Sequence, residues 1–163
     1  MILGMTTLTF VHTVLSLIGI GSGLVVVAGL LRAERRDGWT AIFLLTTLAT
    51  SATGFALPAD SFLPSHGVGI ISLAVLAAAL VGLYVFRLAG SWRWIYVISA
   101  VAALYFNVFV LVAQLFRKIP ALHALAPTES ELPFAITQGV VLIAFIILGY
   151  AATRAFRGST VPA

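Results

Sequence analysis

Residues 94–116 read WIYVISAVAALYFNVFVLVAQLF, an apolar run with no formal charge, fenced by Arg93 on one side and Arg117-Lys118 on the other. A helix needs about 20 predominantly apolar residues to cross the roughly 30 Å hydrocarbon core of a bilayer. This stretch therefore sets the fold class: helix solvated by lipid. Four more stretches qualify, Thr9–Leu31, Thr40–Leu57, His66–Phe86 and Pro133–Thr153. The sequence thus predicts an all-α integral membrane protein, a bundle of five transmembrane helices forming a single domain over residues 1–163.

Composition agrees. Of 163 residues, 61% are hydrophobic and 9% charged, and the mean hydropathy is +1.15. Ordinary soluble domains are roughly half apolar and a quarter charged. A soluble enzyme fold, a disordered chain and a nucleic-acid binder with a basic face are excluded. The net charge of +4 is spread in short groups between apolar runs, where it sets topology. The chain has no cysteine, hence no disulfide, thiolate ligand, covalent haem attachment or cysteine nucleophile. Met1-Ile2-Leu3-Gly4-Met5 carries no basic residue, so the first run reads as a retained span rather than a signal peptide.

The punctuation between runs supports five helices. Arg32-Ala33-Glu34-Arg35-Arg36-Asp37-Gly38 closes the first, with Asp37 placed to cap the second. Pro58 stops the second, and Pro64-Ser65 opens the third. Arg87 to Arg93 separates the third from the fourth, and a loop from Arg117 to Leu132 precedes the fifth. Within that loop Thr128-Glu129-Ser130-Glu131 has capping-box spacing.

Arg32, Arg35, Arg36, Arg87, Arg93, Arg154 and Arg157 fall on one side of such a bundle, and Arg117 and Lys118 on the other. Basic residues in short loops stay cytoplasmic, so the N-terminus is expected outside and the C-terminus in the cytoplasm of a multi-pass protein of the inner (plasma) membrane. Trp39, Trp92 and Trp94 map to the cytoplasmic interface, where aromatic belts form. The second run is the least apolar, carrying Thr46, Thr47, Thr50, Ser51 and Thr53. Hydroxyls that bond back to the carbonyl one turn earlier keep such a helix compatible with lipid.

Helices in lipid associate through close packing of small residues and a few polar bonds. His12, Ser16, Gly19 and Gly23 share one face of the first helix. Ser72, Ala78, Ala79 and Gly82 belong to the third, and Ala100, Ala103, Asn107 and Gln114 form a stripe on the fourth. These faces are expected inside the bundle. Asn107 is the strong amide near mid-bilayer, suited to an interhelical hydrogen bond or to lining a cavity.

No Asp, Glu, Lys or Arg lies in the middle of any run, which argues against a proton-coupled transporter or a voltage sensor. The polar residues gather vertically instead. His12, His66, His123, Gln114, Gln138 and Lys118 all map to the outer half or the outer loops. Three chemistries suit that set. Haem b could lie between His12 and His66, with Arg117 or Lys118 neutralising its propionates. Copper or zinc could recruit His12, His66 and His123, with Glu129 or Glu131. A quinone or lipid headgroup could bond to His12, Gln114 or Gln138. Against all three stands histidine's ordinary interfacial role, a bond to a neighbouring helix.

No catalytic set stands out. The leading expectation is a non-enzymatic membrane protein, an accessory or interaction subunit, or a binder of lipid or a small ligand, acting through its outer face. Its partners would be the bilayer and another membrane protein or a second copy, with no nucleic acid. The alternative is a redox or metal protein built on the outer histidines. A neutral solute path along Asn107 and Gln114 is the third reading.

Overall fold

The computed structural model describes residues 6–57 and 64–156, and in the third helix its side chains from Gly67 onward. The Pro58 stop, the His66 ring and Arg157 lie outside that set. Five long helices form: α1 (Thr7–Leu31), α2 (Asp37–Phe55), α3 (Pro64–Leu80), α4 (Trp92–Lys118) and, after the short α5 (Pro120–Leu125), α6 (Leu132–Ala155). No strand occurs among the described residues. Four segments are long and apolar enough to cross a membrane: Thr7–Leu31, Gly67–Val85, Trp92–Lys118 and Leu132–Ala155. The 19-residue α2 is not among them, because its threonines and Ser51 dilute its hydropathy.

Successive helices run antiparallel, and contacts along α1 fix the register. From one end to the other, His12 meets Thr53 and Gly54, Gly19 meets Thr47 and Asn107, Gly23 meets Phe43 and Leu104, and Gly29 meets Glu34 and Arg36. Across α3, Ser72 meets Ser51 while Gly82 lies against Trp92 and Tyr96. Along α6, Phe134 packs on Phe116, Phe145 on Tyr105, and Gly149 on Val101. Thr7 and Ala155 therefore lie at opposite ends of the bundle. One end carries Arg32, Arg35, Arg36, Arg87, Arg93 and Arg154 (the arginine-rich end). The other carries His12, Gln114, Lys118 and His123 (the histidine end).

The small-residue faces do turn inward. A Cβ at Gly23 would stand 2.7 Å from Leu104 Cδ1 and 2.8 Å from Phe43 Cε2, both in fully buried side chains. Glycine lets α1, α2 and α4 meet there. Ala79, Ala100 and Ala103 are equally buried. α6 is peripheral: it buries Gln138 and Ala152 and presents Ile136, Val140, Ile143 and Ile147 outward, as a lipid-facing helix does.

Three local expectations need correction. Asp37 does not cap α2. It occupies the first turn after N-cap Arg36, and its Oδ1 is drawn back to Arg35 at 3.0 and 2.8 Å. The capping box ahead of α6 also fails, since the helix starts at Leu132 with Glu131 as N-cap. A start at Thr128 would put Pro133 where a helix needs an N–H and where its ring meets the carbonyl four residues back. Glu131 instead accepts from Thr128 N (3.1 Å), Thr128 Oγ1 (2.8 Å) and Ser130 N (3.1 Å). Finally, the stretch from Arg117 to Leu132 is not all loop. Pro120 starts α5, at a position where a missing N–H costs nothing.

α3 ends in a π-helical turn, Val81–Val85, and the chain reverses through Arg87 (φ 48°) and Leu88 (φ 63°). Leu88 N donates to Gly82 O at 2.9 Å, and the Phe86 and Trp92 rings stack with centroids 4.1 Å apart.

Candidate functional site

Between α1, α2, α3 and α4, in the half of the bundle towards the histidine end, lies a cavity of about 210 Å³. Its mouth is formed by Thr9, His12, Thr13, Gln114 and Lys118. Leu17, Ile20, Phe106, Val110 and Leu111 supply its apolar wall, Thr50, Ser51 and Ser72 line it on the α2–α3 side, and Asn107 lies deepest of the polar groups, at the level of Gly19. Val68 and Gly69 complete the α3 wall.

Each polar group owes its position to helix periodicity. His12 sits two turns above Gly19 on the face α1 presents to α2, and its Nδ1 lies 3.0 Å from Thr53 Oγ1. Thr53 and Thr46 each donate at 2.7 Å to the carbonyl four residues earlier, Ala49 and Ile42, as hydroxyls in an apolar helix do. Thr47 instead accepts from Asn107 Nδ2 at 3.0 Å, and Ser51 Oγ donates to Ser72 Oγ at 3.3 Å. Asn107 fulfils both expectations for it, joining helices and lining the cavity.

Thr50 is the exception. The residue is 9% exposed and its Oγ1 has no hydrogen-bond partner among the described residues. Leaving a buried hydroxyl unsatisfied costs about 1–3 kcal/mol, and this one sits in the cavity wall.

The charge pattern is one-sided. Among the described lining residues there is no Asp or Glu, and Lys118 is the one that carries a formal charge. Neighbouring Arg117 is held by Glu129, Nε to Oε1 3.3 Å, whereas Lys118 forms no ion pair with any described residue. Glu131, outside the helices at the same end, is committed elsewhere. Desolvation pushes its carboxyl up, but bonds from Thr128 Oγ1 and from backbone amides outweigh this and hold it below the usual glutamate range.

Below Asn107, where α1, α2 and α4 meet, Phe43 and Leu104 leave no room for a methyl group at Gly23.

Of the residues singled out from sequence, His12, Gln114 and Lys118 come together at the mouth. Gln138 stands apart, at the α4–α6 contact: Nε2 donates to Phe109 O at 3.0 Å, and Oε1 is buried without a partner. His123 is exposed on α5 and does not line the chamber. The backbone of His66 lies in the first turn of α3, just before Val68 and Gly69 of the chamber wall. Among the described residues, no three of His, Asp and Glu gather into a group able to hold a metal ion. The inner set, Thr50 with the Ser51–Ser72 pair, is the part sequence reasoning missed. Its signal was the density of hydroxyls on α2, read as lipid-compatible back-bonding.

A second hollow, about 390 Å³ between α4 and α6, is lined by Tyr105, Phe145, Ile146 and Tyr150 and is almost wholly apolar. It belongs to the lipid-facing side.

Compared with protein-family models, curated proteins and solved structures, the chain matches none.

Proposed function

We propose that the protein binds a small molecule in the chamber between α1 and α4, and that it does so as a five-span protein of the inner (plasma) membrane with its N-terminus and the chamber mouth facing outward. The observation that carries this reading is Thr50 Oγ1, a buried hydroxyl in the chamber wall with no partner among the described residues. Polar groups set in an apolar wall are what small-molecule sites use to fix orientation.

The topology rests on the arginines gathered at one end, opposed by Arg117 and Lys118 at the other. It also rests on α2, whose 19 residues rise about 28 Å at 1.5 Å each, nearly the thickness of a hydrocarbon core. α2 pairs with α1 along its whole length, as a crossing helix would. The reading is one of binding: the described lining places no carboxylate beside His12. The protein then serves as a binding or accessory subunit whose outer face responds to occupancy.

The test is native mass spectrometry of protein released gently from membranes. A non-covalent adduct in near-equimolar amount is expected, and Leu111→Trp, which fills the chamber, removes it while the protein stays folded. Wild type without an adduct, or an adduct retained by Leu111→Trp, would falsify the reading.

A further inference from the structure

The two polar ends of the chamber differ in character. At the mouth, Lys118 is a cation with no counter-ion among the described residues, and the Gln114 amide lies one turn further in. His12 adds a ring whose Nδ1 is engaged by Thr53, which leaves Nε2 as its uncommitted nitrogen. Further in, the lining is neutral: among the described residues Thr50 Oγ1 has no partner, and Asn107, having given Nδ2 to Thr47, keeps Oδ1 without one. From Gln114 to Asn107 is seven residues of α4, about 10 Å along the axis, and the apolar Val110 and Leu111 of the chamber wall lie in that interval.

From this we infer that the ligand is a small organic acid, its carboxylate at Lys118 and Gln114 and an uncharged hydrogen-bonding group at Thr50 and Asn107. The inference rests on the reading of the chamber as a binding site and adds the ligand's charge and polarity. An ammonium with no counter-ion among the described residues attracts an anion, and the described lining, without Asp or Glu, offers that anion no like-charge repulsion. The inner groups supply both a donor and an acceptor to a neutral function and nothing to a second charge. Size sets the scale: an apolar cavity of about 150 Å³ admits benzene, so 210 Å³ takes one ring or a short chain with its two polar ends. A two-chain lipid does not fit inside.

Calorimetric titration of the protein in zwitterionic nanodiscs with two matched pairs tests this: octanoate against octanamide, and 4-hydroxybenzoate against 4-hydroxybenzamide. In at least one pair the acid should bind about tenfold tighter than its amide, the scale of a hydrogen bond to a charged group. Lys118→Gln should bring the acid to the level of the amide, and Lys118→Arg should keep the preference. Lys118 is exposed, so both variants fold. Amides that bind as tightly as their acids in both pairs, or a preference that survives Lys118→Gln, overturn the acid assignment and leave the binding reading standing. No saturable binding of any of the four overturns it too. If the co-purified adduct is then also missing, the binding reading falls with it.

Discussion

Asn107 Nδ2 lies 3.0 Å from Thr47 Oγ1, and the bond passes beside Gly19, whose missing side chain leaves room for both groups. Three helices are thereby tied at one level by one amide. Asn107→Leu removes the donor and leaves Thr47, fully buried, without it. Interhelical bonds in membranes contribute about 0.6 kcal/mol on average and up to about 1.7 kcal/mol. The variant should lose stability in that range in reversible detergent unfolding. Wild-type stability would show that the bond contributes nothing.

The α1 glycines should behave in opposite ways. Gly23→Ala places a methyl 2.7 Å from Leu104 Cδ1 and should cost about 1–3 kcal/mol, as overpacking does. Gly21→Ala meets nothing within 4 Å and should be neutral or gain about 0.5–1 kcal/mol of helix propensity. Equal effects of the two substitutions in thermal unfolding would contradict the packing at Gly23.

Much of this was legible in the sequence. Run lengths gave the four helices long and apolar enough to cross a bilayer, because covering it demands a fixed rise, and small residues at helical spacing gave the buried faces, because close approach in lipid tolerates little else. Which hydroxyls on α2 face a void was not legible. Thr46, Thr50 and Thr53 look alike in sequence, and only the packing of α3 and α4 decides that Thr50 goes without a partner. The start of α6 was legible to within one residue, Pro133 against Leu132, but its cap was not: capping spacing was visible, and Pro133 overrides it.

Thr50→Val exchanges the orphan hydroxyl for a methyl of similar shape. The empty protein should gain about 1–3 kcal/mol, the penalty of an unmet buried polar group, while the co-purified ligand is held more weakly. A variant both less stable and unimpaired in binding would show that Thr50 faces packing and not a ligand.

The Glu131 carboxyl, held below its ordinary range, makes the α5–α6 junction sensitive to acid. A carboxyl depressed in the folded state stabilises above its unfolded pKa, about 4.3 for glutamate, and that contribution disappears as pH falls through the folded value. Stability followed from pH 6 downward should therefore decline, and Glu131→Gln should flatten the Glu131 part of the decline. Superimposable pH profiles for the two proteins would rule out this role.

The cysteine-free chain suits labelling from either side of a membrane. Cysteines introduced as Gly38→Cys and Ala89→Cys should react with an impermeant maleimide from the cytoplasmic side, and His123→Cys from the opposite side. If Gly38→Cys and Ala89→Cys react from opposite sides, α2 does not cross and the proposed topology fails.

The close contact that Phe43 and Leu104 make at Gly23 has a consequence for physiology. Under the proposed reading of a chamber that opens at the histidine end, a guest halted by that contact would leave by the door it entered, and occupancy would report abundance on that side alone.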